Sequence, residues 1–76
     1  MSEELIKLLR ENNITIVNDI MDKRNGSICM GYHLRSPSIE KHKDCIFIIA
    51  KYMMGNDNPY SITDGSNNKD IFLHIN

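Results

Sequence analysis

Apolar residues cluster most densely in Pro37–Met54, PSIEKHKDCIFIIAKYMM, and within it in the unbroken run Cys45–Ala50. Two readings of this stretch give two folds. As a helix it has Ser36 to cap it, Pro37 at the first helical position and Gly55 just beyond its end. At 100° per residue Ile39, Cys45, Ile46, Ile49, Ala50 and Met53 share one face, with Phe47 and Met54 at its edge. Glu40, Lys41, Asp44 and Lys51 lie opposite. Ile48 falls among the polar positions, and His42 and Lys43 intrude on the apolar side. As a strand only Cys45–Tyr52 is used, buried on both faces. Strands seldom exceed about ten residues, so a longer periodic segment with both caps is read as a helix.

Elsewhere the pattern is clearest at the ends. Ser2–Asn12 predicts a helix that buries Leu5, Ile6, Leu8 and Leu9, with Ser2 as cap and Glu3 and Glu4 in the first turn. Asn12-Asn13 offers a residue able to turn left-handed at its end. Ser27–Arg35 alternates with period two, Ile28, Met30, Tyr32 and Leu34 against Cys29, Gly31, His33 and Arg35, and predicts a strand. Ile14–Gly26 is ambiguous: a helix from Thr15 with Ile16, Val17, Ile20 and Met21 on one stripe, or a strand entering a hairpin at Asn25-Gly26. In the hairpin Lys23 faces Ile28, Met21 faces Met30, Asp19 faces Tyr32 and Val17 faces Leu34. Residues 55–69 read as a polar, turn-rich loop in which Tyr60 and Ile62 anchor the chain or form a short strand. Asp70–Ile75 predicts a final strand, paired with Ser27–Arg35. The expected fold is one α+β domain over 1–76, ordered α-β-β-α-β, with two helices on one face of a small, mostly antiparallel sheet. The expected core is Leu5, Leu8, Leu9, Ile39, Ile46, Ile49, Met53, Ile71 and Leu73.

The opening ELIKLLRENNITIVNDIMDKRNGS resembles the start of winged helix-turn-helix domains, and this resemblance implies the alternative fold. Ile16–Arg24 would then be the second helix and Ser27–Arg35 the recognition helix. Cys45–Tyr52 and Asp70–Ile75 would be the wing strands. Such a nucleic-acid-binding regulator would use Lys23, Arg24, His33 and Arg35 as contacts. The chain departs from that pattern at Gly31, which interrupts the proposed recognition helix.

Charge weighs against nucleic acid as the main partner. The net charge is −1, made of zero over residues 1–35, +1 over 36–54 and −2 over 55–76, so no basic tract exists to grip phosphate. The apolar run is far shorter than the roughly 20 residues a membrane span needs. Cys29 and Cys45 both sit in apolar patterns and read as buried reduced thiols, which with the absence of a leader makes a cytoplasmic location the expectation. Ile and Asn supply 21 of the 76 residues, a bias that suits a small phage, viral or mobile-element accessory protein working in the host cytoplasm.

No residue set reads as catalytic. His33, His42 and His74 form no metal-ligand spacing with the cysteines, and Asp57, Asn58 and Asp64 lack the calcium-loop pattern, so no metal or cofactor is expected. Cys45 and His42 can be neighbours on a helix, but Cys45 lies too far from the helix N-terminus for a stabilised thiolate. Nothing in the sequence joins His33 or His74 to Asp44 or Asp70. The expectation is therefore a non-catalytic protein-binding or regulatory module, with a protein partner or a second copy of itself. Its interface is placed on Ile48 and Tyr52, one turn apart, with Lys41 and Asp44 at the rim.

Overall fold

The computed structural model describes residues 3–24, 27–56, 59–65 and 67–75. Side chains are described throughout these ranges except at 22–24 and 27–29. Two helices, α1 (Glu3–Glu11) and α2 (His42–Met54), pack on one face of a four-stranded antiparallel sheet. The strands are β1 (Thr15–Arg24), β2 (Ser27–Arg35), β3 (Tyr60–Asp64) and β4 (Asp70–Ile75), in spatial order β1-β2-β4-β3. The α+β architecture is the one expected, with one strand more. β3 lies inside the polar segment 55–69 and is the short strand offered there as one alternative, with Tyr60 and Ile62 packed against the core.

α1 ends as its sequence predicts. Asn13 takes a left-handed φ of 57°. The Ile14 N–H then reaches the Leu9 carbonyl at 2.9 Å and the Asn13 N–H reaches that of Arg10 at 3.1 Å. These bonds satisfy carbonyls the helix leaves over, while Ile14 packs into the core beside Leu9. The chain is thereby aimed straight into β1. Ser2 lies outside the described residues.

The winged-helix alternative fails here, because both of its DNA-reading segments are strands. Thr15–Arg24 pairs with Ser27–Arg35, with Lys23 opposite Ile28, Met21 opposite Met30 and Asp19 opposite Tyr32, as the hairpin reading expects; the Asn25-Gly26 turn itself lies outside the described residues. The match stops at Val17. A bulge between Ile16 and Asn18 puts Ile16, not Val17, opposite Leu34.

Three cross-strand rows on the helix-facing side organise the core. The first is Ile16–Leu34–Ile71–Asp64 and the second Asp19–Tyr32–Leu73–Ile62. Leu34, Ile71, Tyr32 and Leu73, on the two central strands, are buried beneath Leu5, Leu9, Cys45, Ile49 and Met53. The third row, Met21–Met30–Ile75–Tyr60, lies toward the hairpin end. α1 spans only about 14 Å, whereas Met21 lies about 20 Å along β1 from Thr15. The helix stops short of it, and Met21 and Met30 are exposed.

The central helix is shorter than predicted. Ser36 does not cap it. Its N–H donates to the Lys69 carbonyl at 2.8 Å, which carries the β2–β4 pairing one residue further, and its hydroxyl lies 3.1 Å from the same carbonyl. Pro37–Lys41 consequently forms a turn, in which the Ser38 hydroxyl accepts the Lys41 N–H. Helical bonding begins with Cys45 N–H to the Lys41 carbonyl. Ile39 is left on that turn, 59% exposed rather than in the core. Gly55 is right-handed with φ −80°, so the αL ending does not form; the Asn56 side chain donates to the Tyr52 carbonyl instead.

On the sheet's other face, Gly31 is the residue that has no alternative. A Cβ there would meet the Leu73 carbonyl oxygen at 2.8 Å and the His74 Nδ1 at 3.2 Å. Because the first of these is backbone of the neighbouring central strand, a side chain would part β2 from β4.

Candidate functional site

The helical layer carries an exposed apolar surface. Six consecutive apolar residues at helical spacing cannot all face one way, and α2 buries Cys45 and Ile49, leaves Ile46, Ile48 and Ala50 half-buried and turns Phe47 outward. Phe47 is 69% exposed. It borders a groove of about 350 Å³ formed with Leu8 of α1 and Ile48, Lys51 and Tyr52 of α2. Among the described residues Lys51 is the only charged one lining it.

The four interface residues expected from sequence are divided between two depressions. Ile48 and Tyr52 line this apolar groove. Lys41 and Asp44 instead line a second, polar hollow of about 260 Å³ with Glu11, Asn12 and Asn13 at the end of α1. Ile48 borders both and forms the ridge between them. Phe47, placed by its periodicity at the edge of the core face, was the residue missed. Its signal was the length of the run Cys45–Ala50, more apolar residues than one buried stripe accommodates.

Cys45, on the inward side, is free and buried. Burial pushes its thiol pKa up and the Asp44 carboxylate adds to that, with Lys41 opposing. It behaves as a small hydrophobe and not as a nucleophile. The side chain of Cys29 lies outside the description, as do those of Lys23 and Arg24.

His42 is the group whose surroundings the sequence concealed. It is 7% exposed and sits at the first position of α2. Its Nδ1 lies 3.1 Å from Ser36 Oγ and its Nε2 3.1 Å from Asp64 Oδ1. Hydroxyl, imidazole and carboxylate thus form a chain joining the end of β2, the start of α2 and the end of β3. The order resembles a hydrolytic triad, but the Ser36 hydroxyl is itself buried and lies within bonding distance of the Lys69 carbonyl. The chain of contacts ties these three elements together.

On the open face of the sheet, the β2–β4 register sets His33 opposite Phe72 and Arg35 opposite Asp70. The His33 and Phe72 rings stack with centroids 4.6 Å apart. Arg35 Nε donates to Asp70 Oδ1 at 2.9 Å. His33 Nε2 is 3.1 Å from the same oxygen but is not well aligned for a hydrogen bond. His33 and Asp70, which no sequence spacing joins, are therefore neighbours. One carboxylate oxygen is shared between two basic groups, an arrangement that fixes Asp70 rather than freeing His33 as a base. Arg35 is likewise committed within the sheet.

The Arg35 guanidinium, acting foremost through its hydrogen bond, holds the Asp70 carboxyl below its ordinary range, with His33 assisting and desolvation opposing. The folded-state pKa is thus below the unfolded value of about 3.9. The ionised carboxylate's contribution to stability is complete above that value and is lost as pH falls through the lowered one. Replacing Arg35 with Gln should therefore lower stability near neutrality and make it less dependent on pH in acid, variant and wild type converging once Asp70 is protonated. Urea unfolding followed by circular dichroism at pH 7 and at successively lower pH reads this, and a difference between the two proteins that grows toward acid would contradict it.

Among the described residues no three potential metal ligands come together, and no helix is long and apolar enough to cross a membrane. Comparison of the chain with protein-family models, curated proteins and solved structures gives no match.

Proposed function

We propose that this protein is a non-catalytic binding module whose helical layer receives an amphipathic helix of a partner protein. The observation that carries the reading is the exposed Phe47 ring beside an apolar groove. An aromatic residue next to a concave apolar surface is the usual centre of a helix-in-groove interface. The groove runs between α1 and α2, so a third helix laid there would cover Phe47 and Ile48 together. Lys51 at the wall favours an acidic residue flanking the partner's apolar stripe. Lys41 and Asp44, across the Ile48 ridge, supply the polar rim. A reducing, cytoplasmic setting suits the free Cys45 thiol.

The test is capture from cell extract by the immobilised chain, compared with variants Phe47→Asp, Ile48→Asp and, on the opposite face of the sheet, Thr63→Asp. A specific partner should be retained by wild type and Thr63→Asp and lost, by about tenfold or more, from both helical variants. Circular dichroism confirms that each variant is folded. Equal retention by all four proteins, or loss with Thr63→Asp alone, overturns the proposal.

A further inference from the structure

Apart from the helical groove, the sheet has an unfinished edge. β1 is its longest strand, with ten residues, and stands at one side with no strand beyond it among the described residues. Natural edges of this length are usually interrupted or covered, because their unpaired N–H and C=O groups template another strand. The bulge between Ile16 and Asn18 disrupts the ladder at the start of β1. It leaves Asn18–Arg24 as an uninterrupted run opposite β2, and the midpoint of that run is Met21.

From this geometry we infer that the protein forms a two-fold dimer through β1, antiparallel and centred on Met21, making one continuous eight-stranded sheet. In this register position 18 meets 24 of the second copy, 19 meets 23 and 20 meets 22. The sequence places an acid at 19 and a base at 23, so the two-fold creates two opposite-charge pairs and no like-charge pair. Moving the centre to Asp22 would set that acid against its own copy. Moving it to Ile20 would lose both charge pairs and run position 23 into the bulge.

The apolar row at the hairpin end, exposed at Met21 and Met30, supplies the second argument. Met21 is 70% exposed and ends the row Met21–Met30–Ile75–Tyr60 at this very edge. Because an antiparallel pair keeps equivalent residues on the same face, the two Met21 side chains become neighbours. Two four-residue rows then join into one of eight across the dimer. Methionine, flexible and polarisable, adapts well to such a self-contact. This dimer leaves the α1–α2 groove open, so it is independent of the function proposed above.

Sedimentation of the whole chain from low-micromolar to near-millimolar concentration tests the inference, with charge exchange as the diagnostic. Wild type should show a reversible monomer–dimer equilibrium that weakens with added salt. Asp19→Lys and Lys23→Asp, each of which sets like charges together, should each raise the dimer Kd by about tenfold or more. The double exchange Asp19→Lys/Lys23→Asp restores opposite signs and should return the Kd to within about threefold of wild type. Thermal unfolding at low concentration checks that every variant is folded; should one exchange fail it, Met21→Lys replaces it and is likewise expected to be monomeric. A wild type that stays monomeric overturns the inference. So does a dimer that tolerates the single exchanges, one that the double exchange fails to restore, or one abolished by Phe47→Asp instead.

Discussion

An Ile49→Asp variant is expected to show no cooperative unfolding transition, whereas Ile48→Asp should fold with a loss of about 1 kcal/mol. These neighbours in one apolar run differ entirely in surroundings. Ile49 is 0% exposed and lies in the core with Leu9, Leu34, Ile71 and Leu73. A carboxylate there must either stay charged in an apolar interior or take up a proton, and the isoleucine's own burial is lost in both cases. The combined cost is roughly 5 kcal/mol or more. A domain of this length has about 4–11 kcal/mol in total, so the change removes from about half to all of it. Ile48 stands on the ridge between the two surface depressions, where a carboxylate reaches water. Urea unfolding followed by circular dichroism separates the two cases. A folded Ile49→Asp beside an unfolded Ile48→Asp would mean that the phase of α2 is wrong.

Replacing His42 with Ala should lower stability by roughly 2–3 kcal/mol. For a domain of this size that corresponds to a fall of about 10–20 °C in Tm. The imidazole fills a buried position at the start of a helix with no side-chain cap of its own. Its removal leaves a cavity and takes one partner from the buried Ser36 hydroxyl and one from Asp64. Asp64→Ala should cost far less, about 0.5–1 kcal/mol, because that carboxylate is largely exposed. Differential scanning calorimetry at neutral pH gives both values. Equal losses would place the stabilisation in the ion pair and not in the buried ring.

What could be read from the sequence was set by nearby residues, and what could not was set by distant ones. The ending of α1 needs only Asn13 and the carbonyls just before it. The hairpin register needs only two residues between two alternating runs. By contrast, Ser36-Pro37 carries every local mark of a helix start, yet the Lys69 carbonyl, 33 residues away, claims Ser36 for the sheet. The helix begins later and Ile39 leaves the core as a result. β3 was legible only as one of two readings of Tyr60 and Ile62, because a five-residue edge strand offers just those two apolar residues to the helical side, amid turn residues. The bulge beside Val17 has no mark in the β-branched sequence around it. At the proposed binding face, Ile48 and Tyr52 follow from helical phase. Phe47 required knowing which part of an over-long apolar run the sheet would cover. His42 stood on the apolar stripe in plain view, but its partners come from other elements. The same holds for His33 and Asp70, which only the β2–β4 register brings together.

The binding role of the helical layer is tested most directly by photocrosslinking in living cells, with a photoreactive phenylalanine analogue placed at Phe47 or at Thr63. Substitution at Phe47 keeps an aromatic ring where the groove presents one, and Thr63 is exposed on the opposite face of the sheet. The account predicts a discrete adduct from position 47 that disappears when Ile48→Asp is added, and none from position 63. An adduct from position 63 alone, or one from position 47 that survives Ile48→Asp unchanged, would contradict it.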